Sequence, residues 1–125
     1  MIVLDASALL AFMFREAGHE SVGAAFAAGC MSTVNLSEVL ARFARDGHPV
    51  DAVLSSIEKT ALEFVDFSRA HAAIAGGLAD AGQSVGLSLG DRACIALAIE
   101  RKLPVLTADR AWLRIALPIR VQTVR

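Results

Sequence analysis

Four acidic residues stand where a carboxylate can do chemistry. Asp5 follows the apolar run Ile2-Val3-Leu4 and precedes Ala6-Ser7-Ala8-Leu9-Leu10. Glu38 closes Asn35-Leu36-Ser37-Glu38, Asp91 closes Ser88-Leu89-Gly90-Asp91, and Asp109 closes Leu106-Thr107-Ala108-Asp109. Gathered in one crevice they would repel, since two like charges about 4 Å apart cost about 4 kcal/mol at an effective dielectric of about 20. Such a cluster needs cations or raised pKa values to persist at neutral pH. Carboxylate oxygens without His or Cys favour Mg²⁺ or Mn²⁺ over Zn²⁺. Two such ions about 3.5–4 Å apart can clamp an in-line displacement at phosphorus. The chemistry reached this way is that of a metal-dependent nuclease or phosphatase. Taken singly, each acid has a structural alternative. Asn35-x-x-Glu38 and Ser88-x-x-Asp91 fit a capping box loosely, and Asp5 and Asp109 can each cap the helix that follows.

The elements that must hold these acids alternate between short apolar runs and helical spacing. Strands are expected at Ile2–Asp5, Cys30–Thr33, Leu62–Phe67, Pro104–Leu106 and Ile119–Thr123. Helices are expected from Ser7 or Ala8 to about Phe14, then over Glu20–Ala28, Asn35–Arg45, Asp51–Lys59, Arg69–Ala81, Asp91–Arg101 and Arg110–Ala116. Asn35–Arg45 has the clearest pattern, with Leu36, Val39, Leu40 and Phe43 on one face. Gly82–Gly90 reads as a loop. Strands alternating with helices imply an α/β sandwich with a mainly parallel sheet of four to five strands. In such a sheet ligands bind beyond the carboxyl ends of the strands. Asp5, Glu38 and Asp109 fall on that edge, and Asp91 joins them if its helix runs antiparallel to the strand it feeds.

The chain has 125 residues, 55% of them hydrophobic, enough for one domain over 1–125 with its own core. A mean hydropathy of +0.54 comes from 24 alanines rather than from a long apolar run. Glycine, serine, threonine and asparagine interrupt the longest uncharged stretch, Ser21–Ser37, so no membrane span is expected. No basic leader opens the chain, and Cys30 and Cys94 lack paired spacing and read as reduced core residues. A cytoplasmic setting is the expectation. Residues 1–100 carry 6 basic and 12 acidic side chains, whereas 101–125 carry 6 basic ones against Asp109 alone. That asymmetry suits either a polyanion-binding face or a merely solvated one.

In order and separation, four fragments resemble the PIN domain, and within it the toxin ribonucleases of VapBC toxin–antitoxin systems. They are Ile2–Leu10, Asn35–Val39, Leu89–Ala98 and Val105–Trp112. The resemblance implies a PIN-like α/β/α sandwich in which Asp5, Glu38, Asp91 and Asp109 bind one or two Mg²⁺ or Mn²⁺ ions. Asp109 matches the position that varies most in the family. Ser7 and Thr107 match supporting hydroxyl positions. The implied reaction is endonucleolytic hydrolysis of RNA by a metal-activated water. The implied partners are an RNA substrate, a cognate antitoxin covering the acidic groove, and a second copy of the chain in a homodimer. Glu20–Ala28 and Asp51–Lys59 offer apolar faces for such contacts. Arg92 and Arg110, beside the acids in sequence, suit RNA phosphates or equally well pair with the carboxylates when no metal is present.

Other readings fit less well. A haloacid-dehalogenase-type enzyme wants a second Asp two residues after Asp5, where Ser7 stands. A response-regulator receiver wants adjacent acids there and a lysine after its last core strand, and the chain has neither. A non-catalytic PIN-like protein-binding module would be expected to have lost some of the acids, and all four are present. His19, His48 and His71 lack ligand spacing and read as exposed polar positions. Trp112 reads as packing. With six Phe and no Tyr, no aromatic platform for bases is expected, which leaves shape and phosphate contacts.

Overall fold

The computed structural model describes residues 1–125. In chain order the strands are β1 (Ile2–Leu4), β2 (Gly29–Ser32), β3 (Glu63–Val65), β4 (Val105–Thr107) and β5 (Val121–Thr123). The helices are α1 (Ala6–Met13), α2 (His19–Ala25), α3 (Thr33–Arg45), α4 (Val50–Glu58), α5 (Arg69–Gly77) and α6 (Leu89–Arg101). Short 3-10 turns cover Phe26–Ala28, Gln83–Val85 and Arg110–Arg114. The sheet has five strands in the order β3-β2-β1-β4-β5, and every pairing is parallel. The α/β sandwich is therefore as expected, with five strands.

Burial of the sheet on both faces follows from the two-residue period of a strand. In β1, Val3 joins one apolar cluster with Cys30, Cys94, Ile95, Leu97 and Trp112, while Leu4 joins the other with Leu9, Val22, Met31 and Val39. β4 repeats this with Val105 and Leu106 on opposite sides. Helix α6 crosses β1, β2 and β4, and its whole middle from Ala93 to Ala98 is buried. Both cysteines are buried and free. No helix is long and apolar enough to cross a membrane.

Several boundaries differ from the expected ones for local reasons. The buried Ser32 caps α3 by accepting from the Val34 N–H, so Asn35 lies inside the helix and is not its cap. Ser88 caps α6, which starts at Leu89 rather than Asp91. Helix α5 stops at Gly77 instead of reaching Ala81, because the Gly76-Gly77 pair costs about 2 kcal/mol in helix propensity relative to alanine. The segment after Asp109 is a 3-10 turn ending at Arg114 rather than a helix to Ala116.

His71 corrects a second expectation. It is buried, at 2% exposure. Its Nδ1 accepts from the Ser68 N–H in a capping box and its Nε2 faces a Glu100 carboxylate oxygen. Nδ1 therefore carries no proton, and Nε2–H donates to Glu100. Trp112 is fully buried as packing, with its indole N–H lacking a partner.

Candidate active site at the carboxyl edge of the sheet

The polypeptide leaves β1 at Leu4, and Asp5 is held in extended geometry (φ −75°, ψ 156°) as α1 begins. Its backbone N–H donates to the Leu106 carbonyl at 2.9 Å, which ties it to β4. The side chain makes no cap to α1. Instead its Oδ2 accepts from the Ser7 hydroxyl at 2.6 Å and from the Thr107 hydroxyl at 3.0 Å. Each hydroxyl has one proton, so both are spent on that single oxygen. The Ser7 and Thr107 oxygens in turn accept the Ala108 and Asp109 backbone N–H groups at 2.9 and 3.0 Å. Asp5 is thus clamped through Oδ2, and Oδ1 stays outside the hydrogen-bond network.

Asp5 is 4% exposed. Burial pushes its carboxyl up to about 6, with the charges of Asp91 and Glu38 adding to the rise and the two hydroxyl hydrogen bonds opposing it. Burial also raises Glu38, with Asp91 adding and Asn35 opposing.

Glu38 stands in the second turn of α3, and Asn35 holds it. The Asn35 amide donates to Glu38 Oε1 at 2.8 Å and to the Gly90 carbonyl at 2.9 Å. Both amide protons are used, which pins α3 to the start of α6. Asn35 is fully buried and its Oδ1 has no partner. Asp91 lies in the first turn of α6, where its Oδ2 accepts from the Ser88 N–H at 2.9 Å. The capping alternative therefore describes Asp91 correctly, yet one of its oxygens remains free of hydrogen bonds.

Asp5, Ser7, Glu38 and Asp91 line one open cleft of about 250 Å³, together with Arg42 and Arg45. Asp109 is not among the lining residues. It is exposed, and its Oδ1 caps the 3-10 turn by accepting from the Ala111 N–H at 2.9 Å. Arg92 and Arg110 also lie outside the cleft lining. Arg92 donates to the Ala75 carbonyl on α5 at 3.0 Å, and Arg110 to the Arg125 carbonyl at 2.9 Å. Neither pairs with an Asp or Glu side chain. Sequence reasoning passed over Arg42 and Arg45, although their positions four and seven residues after Glu38 put them on its face of α3. It also missed the amide clamp of Asn35.

A larger hollow of about 350 Å³ opens at the opposite edge of the sheet, among Lys102, Pro104, Pro118 and Arg120. It holds no acidic residue.

Three carboxylates with hard oxygens suit Mg²⁺ or Mn²⁺. No three acidic, His or Cys side chains close into a finished ligand set. Mg²⁺ is commonly held by one or two carboxylates while keeping several waters, so it does not need a closed cage. The donor set fits such an ion on those terms.

Among solved structures, the chain resembles DNA-bound VapBC from Salmonella typhimurium at 20% identity and a TM-score of 0.74, over 100% of both chains. It resembles VapBC2 from Rickettsia felis, bound to a promoter DNA fragment, at 18% identity and a TM-score of 0.72, over 98% of both chains. FitAcB from Neisseria gonorrhoeae gives 19% identity and a TM-score of 0.72, over 99% of this chain and 98% of that one. At these identities the likeness is one of fold. No curated protein matches the sequence. The family model described as PIN domain matches residues 2–117, and the chain belongs to the PIN-domain family.

Proposed function

We propose that the chain is an Mg²⁺- or Mn²⁺-dependent endoribonuclease, acting as the toxin of a type II toxin–antitoxin pair in the cytoplasm. The observation that carries this reading is the meeting of Asp5, Glu38 and Asp91 in one cleft, with Asp5 held in a buried position that disfavours its charge. A buried carboxylate with no cationic partner costs the fold free energy even with two hydroxyl donors, so its presence in the cleft supports a cation-binding role.

Asp5 Oδ1, Asp91 and Glu38 would hold the ion. When bound, it supplies Lewis acidity that activates water and neutralises charge on the phosphate. Ser7 and Thr107 keep Asp5 oriented by donating to Oδ2, and Asn35 orients Glu38. Asp109 does not line the cleft, and with Oδ1 accepting from the Ala111 N–H it would bring at most its other oxygen to the set. The products expected of such hydrolysis carry 5′-phosphate and 3′-hydroxyl ends.

The partners in this proposal are RNA, a cognate antitoxin and a second copy in a homodimer. An apolar hollow of about 160 Å³ among Leu9, Phe12, Met13, Phe26 and Ile57 supports a protein partner near the cleft.

Thermal unfolding with Mn²⁺ tests the metal requirement. Ion binding to the native state should raise Tm progressively with concentration, and Asp5→Asn should abolish the rise. A wild-type Tm indifferent to Mn²⁺ would favour a non-catalytic binding module instead.

A further inference from the structure

The acidic cleft has a cationic end. Arg42 and Arg45 line it with Asp5, Glu38 and Asp91, and both follow Glu38 along one face of α3. Roughly 10 Å of helix rise separates Glu38 from Arg45. The Arg42 guanidinium carbon lies 4.9 Å from the centroid of the Phe14 ring, which stacks on Phe43 at 5.3 Å. Its Nε donates to Asp46 at 3.3 Å. These contacts hold the plane of the guanidinium and leave both terminal amino groups without a protein acceptor. Arg45 has no carboxylate within ion-pair distance, and none of the three cleft acids pairs with either arginine.

An anionic strand approaching three carboxylates is repelled unless cations meet it. Arg42 and Arg45 are the only cations lining the cleft. A planar guanidinium matches two oxygens of a phosphate at once. We propose that Arg42 and Arg45 form a phosphate-binding subsite for single-stranded RNA, engaging the backbone on one side of the bond that is cut. This rests on the nuclease reading above. It moves the phosphate contacts from Arg92 and Arg110, whose guanidinium groups are engaged with main-chain oxygens of Ala75 and Arg125, to the cleft-lining face of α3.

The test uses a fluorescein-labelled single-stranded RNA of mixed sequence, with Mg²⁺, and the Asp91→Asn chain so that binding is read without turnover. Adding Arg42→Gln and Arg45→Gln together should weaken binding roughly tenfold at low salt. It should also flatten the dependence of log Kd on log salt by about 1.4, the sum for two contacts to a single strand. Arg42→Lys with Arg45→Lys should restore most of that slope. Arg120→Gln, at the far edge of the sheet, should leave affinity and slope unchanged. In the otherwise wild-type chain, the glutamine pair should raise KM for RNA cleavage with little loss in kcat, and leave the Mn²⁺ shift in Tm intact. Equal affinity and KM in the double variant, while wild type binds and cuts, would overturn this inference alone. So would an equal loss in Arg120→Gln. A wild-type chain that neither binds nor cuts RNA would overturn the nuclease reading and this inference with it.

Discussion

Gly90 and Glu38 share one space: a Cβ at position 90 would fall 2.3 Å from Glu38 Oε2 and 2.4 Å from Cδ. The carboxylate therefore lies where another residue would carry a side chain. The clash is with the far end of a flexible glutamate, but moving it takes the acceptor from the buried Asn35 amide, so relief costs the fold a hydrogen bond and disturbs the site. Gly90→Ala should unfold at or below the wild-type Tm without losing the fold, since the up to about 1 kcal/mol that alanine gains over glycine in a helix is offset by the buried Asn35 N–H left without Glu38. RNA cleavage should nevertheless fall tenfold or more, with a higher Mn²⁺ requirement, because Glu38 must leave the Asn35 amide. Calorimetry and an Mn²⁺ titration of cleavage on one preparation check both halves.

Asp5 yields a prediction about pH. Its carboxyl is raised from 3.8 to about 6 in the fold, so folding favours the protonated form. The associated stability is complete below about pH 3.8 and is lost as the pH rises through 6. Asp5→Asn keeps an oxygen for the Ser7 and Thr107 hydroxyls and removes the charge. In metal-free buffer, the stability of this variant minus that of wild type should grow from near zero at pH 4 to on the order of 3 kcal/mol at pH 7. Denaturation curves across that range measure it, and a flat difference would contradict the burial argument. Saturating Mn²⁺ should narrow the gap by stabilising only the wild type.

The Thr107 hydroxyl lowers the Asp5 pKa by donating to Oδ2. Thr107→Val removes that donor at similar volume. Asp5 should then rise further, so a metal must compete with a proton to a higher pH. The acidic limb of the cleavage profile should move up, and activity should largely recover at alkaline pH. A profile lowered equally at every pH would show that Thr107 acts by packing alone.

Much of this arrangement was readable in the chain. Asp5 stood out because it interrupts an apolar run that must be a buried strand, and the Leu36, Val39, Leu40 and Phe43 spacing located α3. The helix start was harder: Ser32 sits at a buried strand end, where a polar residue is retained as a cap. Asn35 resembled that cap in sequence, but its role depends on Gly90, 55 positions away. The Ser7–Asp5–Thr107 network likewise closes over about a hundred residues and exists only once β1 and β4 pair. Asp109 shows a different limit. Its backbone reaches the correct edge, but the carboxylate turns to satisfy the Ala111 N–H, a local competition that strand position does not reveal. His71 was read as exposed because its partner, Glu100, arrives from α6.

The most direct test of the nuclease account is cleavage of total cellular RNA by antitoxin-free protein, with Mg²⁺ or Mn²⁺ and then with EDTA. Wild type, Asp91→Asn and Asp109→Asn are compared side by side. The account predicts discrete fragments that require metal and carry 5′-phosphate ends. Asp91→Asn should reduce them at least a hundredfold and Asp109→Asn less, because Asp109 does not line the cleft. Fragments of equal yield from wild type and Asp91→Asn, or fragments that persist in EDTA, would contradict it.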